Sequence, residues 1–348
     1  MKNPKVLVVA TSRKTRGGIT SVVKAHETGE QWRKYHCKWI ETHRDGNSFI
    51  KMRYLVSSLF LFITLLPFYD IVHIHAGLRT SVDRKIIFAK LAKFFRRKII
   101  IHFHPATEKH LFQKEFSGKI FKLFCYSDLL IVLSHQWENW INEAYPNNQF
   151  KFKVVYNPCP KVVRSSDAKE NIILYAGTLN DRKGYDRLIE AFSKIAPEYQ
   201  DWKVVFAGNG EIDKAKHLAL ECGIESQVEF LGWVAGTAKE HIFQSASVYC
   251  LPSWGEGFPM GVLDAMAYGI PVVTTPVGGI PELLADGVNG FIFDAYDTEA
   301  LSEKLSILMS SAEVRTRFVY ETDKLVITEF NIDVINKNIG MIYNQIGR

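Results

Sequence analysis

The chain has 348 residues, 47% of them hydrophobic and 23% charged, with a formal net charge of +6. That length and apolar content suit two cores, exclude a disordered chain, and leave five scattered cysteines (Cys37, Cys125, Cys159, Cys222, Cys250) without a C-x-x-C pair. Residues 1–165 carry 28 Lys and Arg against 11 Asp and Glu, and the remainder 15 against 26, so a basic half precedes an acidic one.

Unbroken Val/Ile/Leu runs predict strands over 6–10, 71–75, 98–103, 129–133 and 154–156, separated by helical segments. The first run is too short for a signal peptide and leads into Arg13-Lys14-Thr15-Arg16. After it, Gly17-Gly18 opens a helix expected near Ser21. Two glycines let backbone approach a ligand closely and the helix start offers N–H donors, although a plain turn would use them as well. The uncharged run 55–68 follows Lys51 and Arg53. Its fourteen residues fall short of the roughly 20 that a spanning helix needs. A buried helix or one lying in a membrane interface remains, and the basic flank favours anionic lipid over nucleic acid.

The strand over 98–103 puts His102 and His104 on one side, with His104 nearer the carboxyl end. An imidazole there can hydrogen-bond a substrate hydroxyl or be a satisfied core group. Prolines, serines and charges mark a linker over 158–167. Further strands are predicted over 172–176, 203–207, 228–231, 248–251, 272–274 and 290–293. This is an α/β pattern of parallel sheets, in which ligands sit beyond the carboxyl ends of strands. Arg182 and Lys183 lie at such an end, ahead of a helix whose dipole disfavours cations. A phosphate would remove that conflict. Gly208 opens a short Gly-x-Gly turn, and Val234 follows another strand.

The stretch 252–273 is the most informative: a glycine-rich loop, a short helix and a buried strand. Glu256 sits in the loop and Asp264 inside the helix, flanking N–H groups that have no intrahelical partner. A molecule with hydroxyls at both ends and phosphates between fits that order, as a nucleotide sugar does. Pro252-Ser253-Trp254-Gly255-Glu256-Gly257-Phe258-Pro259-Met260-Gly261-Val262-Leu263-Asp264, continued by Ala265-Met266-Ala267-Tyr268-Gly269-Ile270-Pro271-Val272-Val273, resembles the E-x7-E signature of retaining GT-B glycosyltransferases of family 4. Asp264 stands where the family usually has a second glutamate.

The resemblance implies a GT-B fold of two Rossmann-like domains facing a central cleft. Residues 1–160 would bind the acceptor and 161–329 the nucleotide sugar, with a last helix, about 330–348, crossing back to the first domain. It further implies that Glu256 binds a hydroxyl of the donor sugar and Asp264 the ribose. Arg182 and Lys183, in a segment resembling the family's Gly-x-Leu-x-x-x-Lys-Gly from Gly177 to Gly184, would bind the diphosphate. Gly17 and Gly18 would close over the phosphates, Gly208 would make room for the nucleotide, and Val234 would touch the base through its backbone. Gly257, Phe258, Pro259, Met260, Gly261 and Val262 would line the donor. Glu256, His104, Lys183 and Arg182 form the expected catalytic set.

The function expected is retaining transfer of a sugar from a nucleoside-diphosphate donor, UDP- or GDP-linked, to a glycan or lipid-linked acceptor in cell-surface polysaccharide or glycolipid synthesis. The scattered cysteines and the absence of metal-ligand spacing among the histidines lead to a cytoplasmic protein with no metal and no cofactor. It would make peripheral contact with an anionic membrane and none with nucleic acid. A non-catalytic nucleotide-sugar scaffold and a nucleotide-sugar epimerase remain as alternatives.

Overall fold

The computed structural model describes residues 3–78 and 80–347. The chain divides into two compact units, Met1–Pro158 with Phe330–Arg348, and Cys159–Glu329.

The first unit is built on six parallel strands: β1 Val6–Ala10, β2 Lys38–Glu41, β3 Ile71–Ala76, β4 Lys98–Phe103, β5 Leu129–Val132 and β6 Phe152–Val154. Their order is β2-β1-β3-β4-β5-β6. Strands β1, β3 and β5 are buried throughout, which accounts for their continuous apolar runs. The edge strand β2 was not foreseen: it has only four residues, of which Trp39 and Ile40 are buried. The last strand falls two residues earlier than the run 154–156 suggests. One face of the sheet carries Val6, Val8, Ala10, Ile71, Ile100 and Ile131, packed with Ile335, Ile339, Ile342 and Tyr343 of the helix Ile332–Ile346. The 3.6-residue spacing of those isoleucines makes the apolar stripe that closes this core.

The second unit repeats the plan with β7 Glu170–Ala176, β8 Lys203–Ala207, β9 Val228–Phe230, β10 Ala246–Leu251, β11 Val272–Thr274 and β12 Phe291–Ile292. The strands, all parallel, run in the order β12-β11-β10-β7-β8-β9. In each unit the helical connections between parallel strands produce a doubly wound α/β sheet.

The run 55–68 belongs to a longer helix, Ser48–Leu65, extended by a 3-10 turn through Phe68. Asn47 caps it, its side chain accepting from the Ile50 N–H. The reading as a buried helix fails: its buried side chains are Ser58 and Phe62, while Phe49, Met52, Val56, Phe60, Leu61 and Ile63 are exposed. Over Ser48–Phe68 it is long and apolar enough to cross a membrane by length and composition. Phe62 packs edge-on against Phe88 of the helix Thr80–Phe94, with ring centroids 5.0 Å apart, which anchors the element to the first unit.

Candidate active site

In the second unit two loops at the carboxyl ends of β7 and β10 are tied together. The first, after β7, makes a 3-10 turn over Asp181–Lys183, capped by Asn180, whose side-chain oxygen accepts from the Lys183 N–H at 3.0 Å. The second is the glycine-rich loop before the helix Met260–Ala267. Arg187, almost fully buried, donates to Pro252 O at 3.0 Å and to Asp181 O at 3.2 Å. Trp254 adds its backbone N–H to Arg182 O and its indole N–H to Asp181 Oδ2, both at 2.9 Å. Sequence reasoning missed Arg187 and Trp254 because their partners lie on a loop distant in the chain.

These ties bring together three of the expected residues. Glu256 Oε1 lies 2.6 Å from Lys183 Nζ and 3.1 Å from Arg182 Nη1, and accepts from Ser253 Oγ at 2.8 Å. Arg182 also donates to Gly255 O. Glu256 is only 7% exposed. Burial pushes its pKa up, but the charges of Lys183 and Arg182 outweigh burial and hold it below the usual carboxylate value. The carboxylate is therefore ionised, and two cations share one anion. One positive charge is left over beside a helix start that has no side-chain cap.

Asp264, five residues into that helix, is 8% exposed and faces a different cation, Lys239, with Nζ–Oδ2 at 2.6 Å. Burial raises its pKa and Lys239 only partly offsets it. Lys239 lies on the helix Thr237–Ser245, which begins three residues after Val234. Nothing in its local sequence points to this pairing. Val234 is half-buried in the loop after β9.

Gly177 and Gly208 stand back to back at the ends of β7 and β8. A Cβ on Gly208 would sit 1.7 Å from Gly177 O, so only glycine permits this approach. Phe258, Pro259 and Val262 are buried in the unit and Gly257 accepts from the Gly279 N–H; Met260 and Gly261 are half-buried. Phe258 and Val262 can thus meet a ligand chiefly through their backbone, not as a side-chain wall.

The remaining expected residues belong to the first unit. Gly17 precedes the helix Gly18–Glu27, which starts three residues earlier than Ser21, and its φ of +137° favours glycine. His104 follows β4 directly, half-buried, with Nε2 2.9 Å from His75 Nδ1. Burial pushes its pKa down to about 3, so the imidazole is neutral.

Residues 161–325 match the family described as Glycosyl transferases group 1. An uncharacterized glycosyltransferase of Haemophilus influenzae is 31% identical over 212 residues, covering 60% of this chain and 59% of that one. The chain thus spans less than two thirds of the length of that relative. The phosphatidyl-myo-inositol mannosyltransferase of Mycobacterium leprae is 24% identical over 291 residues, covering 80% of this chain and 74% of its own length. Among solved structures, Anabaena HepE in complex with UDP-glucose superposes with a TM-score of 0.80 at 18% identity, covering 98% of this chain and 100% of that one.

Proposed function

We propose, from the match of residues 161–325 to the glycosyl transferases group 1 family and from the GT-B fold, that the chain is a retaining transferase using a nucleoside-diphosphate sugar. The observation that carries this reading is the buried Glu256 carboxylate shared by Lys183 and Arg182. Two cations on one acid leave room for an anion. On donor binding, the diphosphate takes up the cations and Glu256 is released to accept from a sugar hydroxyl. The HepE complex with UDP-glucose supports a uridine donor among the candidates.

In the reaction, the bond from the anomeric carbon to the phosphate oxygen breaks and a bond to the acceptor oxygen forms. The acceptor's proton passes to the departing phosphate. The difficulty lies in the charge on the leaving diphosphate, which Arg182, Lys183 and the free N–H groups at the start of Met260–Ala267 would stabilise. A preorganised donor of this kind contributes about 3–4 kcal/mol. The protein's own cations serve this step without a metal. His104 and the Gly17-Gly18 turn are assigned to the first unit's share of the work, with that unit taking the acceptor.

The acceptor proposed is a glycan or a lipid-linked sugar at the cytoplasmic face of a membrane, in keeping with the likeness to a phosphatidyl-myo-inositol mannosyltransferase. The exposed helix Ser48–Leu65 supports it. Phe49, Met52, Val56 and Phe60 face outward, Lys51 and Arg53 lie among them, and Phe68 and Phe94 extend the apolar surface. Arg97 donates to Pro67 O at 3.1 Å, bringing the basic turn Arg96-Arg97-Lys98 beside the helix end. Apolar side chains ringed by cations suit an anionic interface. Packing of Phe62 on Phe88 favours lying in the interface over spanning it.

The test is incubation of the purified chain with UDP-, GDP-, ADP- and TDP-sugars and membrane extract, following nucleoside diphosphate release and the anomeric configuration of the product by NMR. Acceptor-dependent release with the donor's configuration kept is expected. Inverted product would overturn the retaining assignment, and release of an isomerised sugar without acceptor would point to an epimerase.

A further inference from the structure

The first unit contains a buried cluster of imidazoles that the transfer chemistry does not use. His73 and His75 project from the same face of β3, and His102 from the same face of β4, because residues two apart along a strand share a face. The parallel register sets His75 opposite His102. Each of the three is 1% exposed. One donor nitrogen from each falls within 4.8 Å of the others, and ring centroids stand 4.4 Å (His73–His75), 4.8 Å (His75–His102) and 5.4 Å (His73–His102) apart.

Hydrogen bonding leaves this set poised. His73 Nδ1 lies 2.7 Å from Tyr343 Oη and His75 Nδ1 2.9 Å from His104 Nε2. Among the described residues their Nε2 atoms, and both ring nitrogens of His102, have no hydrogen-bond partner. Buried polar atoms are normally satisfied, so several orphaned nitrogens in one core call for a ligand. His26 stands beside them in the same condition: its Nδ1 is 2.9 Å from Asn336 Oδ1 and its Nε2 is orphaned.

We propose that His73, His75 and His102 bind a divalent transition metal ion of the Zn2+ class, with His26 Nε2 or a water as the fourth ligand. Neutral imidazole is the donor that Zn2+, Co2+, Ni2+ and Cu2+ share. Burial holds all three histidines neutral, with lone pairs available. Tetrahedral Zn2+ at about 2.0–2.1 Å from each nitrogen sets them about 3.4 Å apart, so each ring need move inward by less than about 1 Å. The outer hydrogen bonds are those of ligand histidines, whose second ring N–H is held by a neighbouring group. Tyr343 plays that part for His73, and His104 for His75.

The ion would be a positioning device. Metal on His75 Nε2 obliges Nδ1–H to donate to His104 Nε2, which leaves His104 with its proton on Nδ1, available beyond the end of β4. It would also join β3 and β4 to the helix Ile332–Ile346 through Tyr343.

The full chain, stripped of metal by chelator dialysis, is titrated with Co2+ at neutral pH and then with Zn2+. One Co2+ per chain is expected, with the visible absorption of a four-coordinate nitrogen site, displaced by Zn2+ and lost in His102→Asn. Tyr343→Phe is expected to weaken Zn2+ binding about 10–100-fold while leaving the spectrum's form intact. Folded wild-type protein without that absorption, or a Co2+ spectrum and stoichiometry unchanged in His102→Asn, would overturn the proposal. Should His102→Asn fail to fold, unchanged Zn2+ affinity in Tyr343→Phe would do the same.

Discussion

Lys183 and Glu256 are 73 positions apart in the chain, yet Lys183 Nζ lies 2.6 Å from Glu256 Oε1, inside a loop pair held by Arg187 and Trp254. The same oxygen accepts from Arg182 and Ser253. On the proposed function this carboxylate is held for exchange: an incoming diphosphate would compete for the cations, and a sugar hydroxyl would replace them on the acid.

Lys183→Ala removes one of the two cations. A hydrogen bond between charged groups contributes about 1.5–3 kcal/mol, so nucleoside diphosphate affinity should fall on the order of 10–100-fold. Isothermal titration with UDP or GDP checks this, and unchanged affinity would remove Lys183 from the phosphate site.

Glu256→Gln frees both cations while keeping shape. Binding of the plain nucleoside diphosphate is expected to hold or rise, and transfer to fall tenfold or more, as expected for a lost charged hydrogen bond. An equal loss in both assays contradicts the sugar-binding role. Acid stability supplies a second readout. Glu256's folded pKa is depressed, so its contribution is present above the unfolded value and is lost as pH falls through the folded one. Wild type should therefore lose stability faster than Glu256→Gln on acidification below its ordinary value of 4.5.

Asp264 has the opposite sign. Its pKa is raised, so its favourable contribution is present below the unfolded value of 3.8 and is lost as pH rises through the folded one. Asp264→Asn is expected to raise the melting temperature at neutral pH, with the gap closing on acidification below that value. Donor affinity should fall at the same time if the acid serves the ribose. A variant less stable at neutral pH would assign Asp264 to the Lys239 ion pair as a structural element.

The exposed helix gives a test away from the donor site. Burying a Phe side chain is favourable by about 1.5–3 kcal/mol, so Phe49→Asp with Phe60→Asp should cut binding to anionic vesicles at least tenfold. UDP-sugar binding should be unaltered. Equal sedimentation with anionic vesicles by both proteins would place the membrane contact elsewhere.

Gly208→Ala tests the close approach at the ends of β7 and β8. Its Cβ would meet Gly177 O, forcing a backbone shift with a cost of about 1–3 kcal/mol, and should lower both melting temperature and donor affinity.

The sequence by itself determined what is local. Strands buried on both faces must be continuous apolar runs, so β1, β3, β4, β7, β8, β10 and β11 were legible within a few residues. The spacing of Glu256 and Asp264 around a helix start marked the loop proposed to hold the donor, because a turn, an acid and unpaired N–H groups are all read from consecutive residues. Edge strand β2 was not legible, since four residues carry too little pattern.

Only the tertiary structure decided which groups meet. It gave Asp264 to Lys239, gave Glu256 two cations at once, and exposed a helix whose apolar sequence would serve equally in a core. It also gathered His26, His73, His75, His102 and His104 from three separate elements. No spacing in the chain reveals that cluster, because it depends on the register of β3 against β4 and on the helices laid over that face. Periodicity tells which side of a strand a residue takes; what covers that side is settled by the fold.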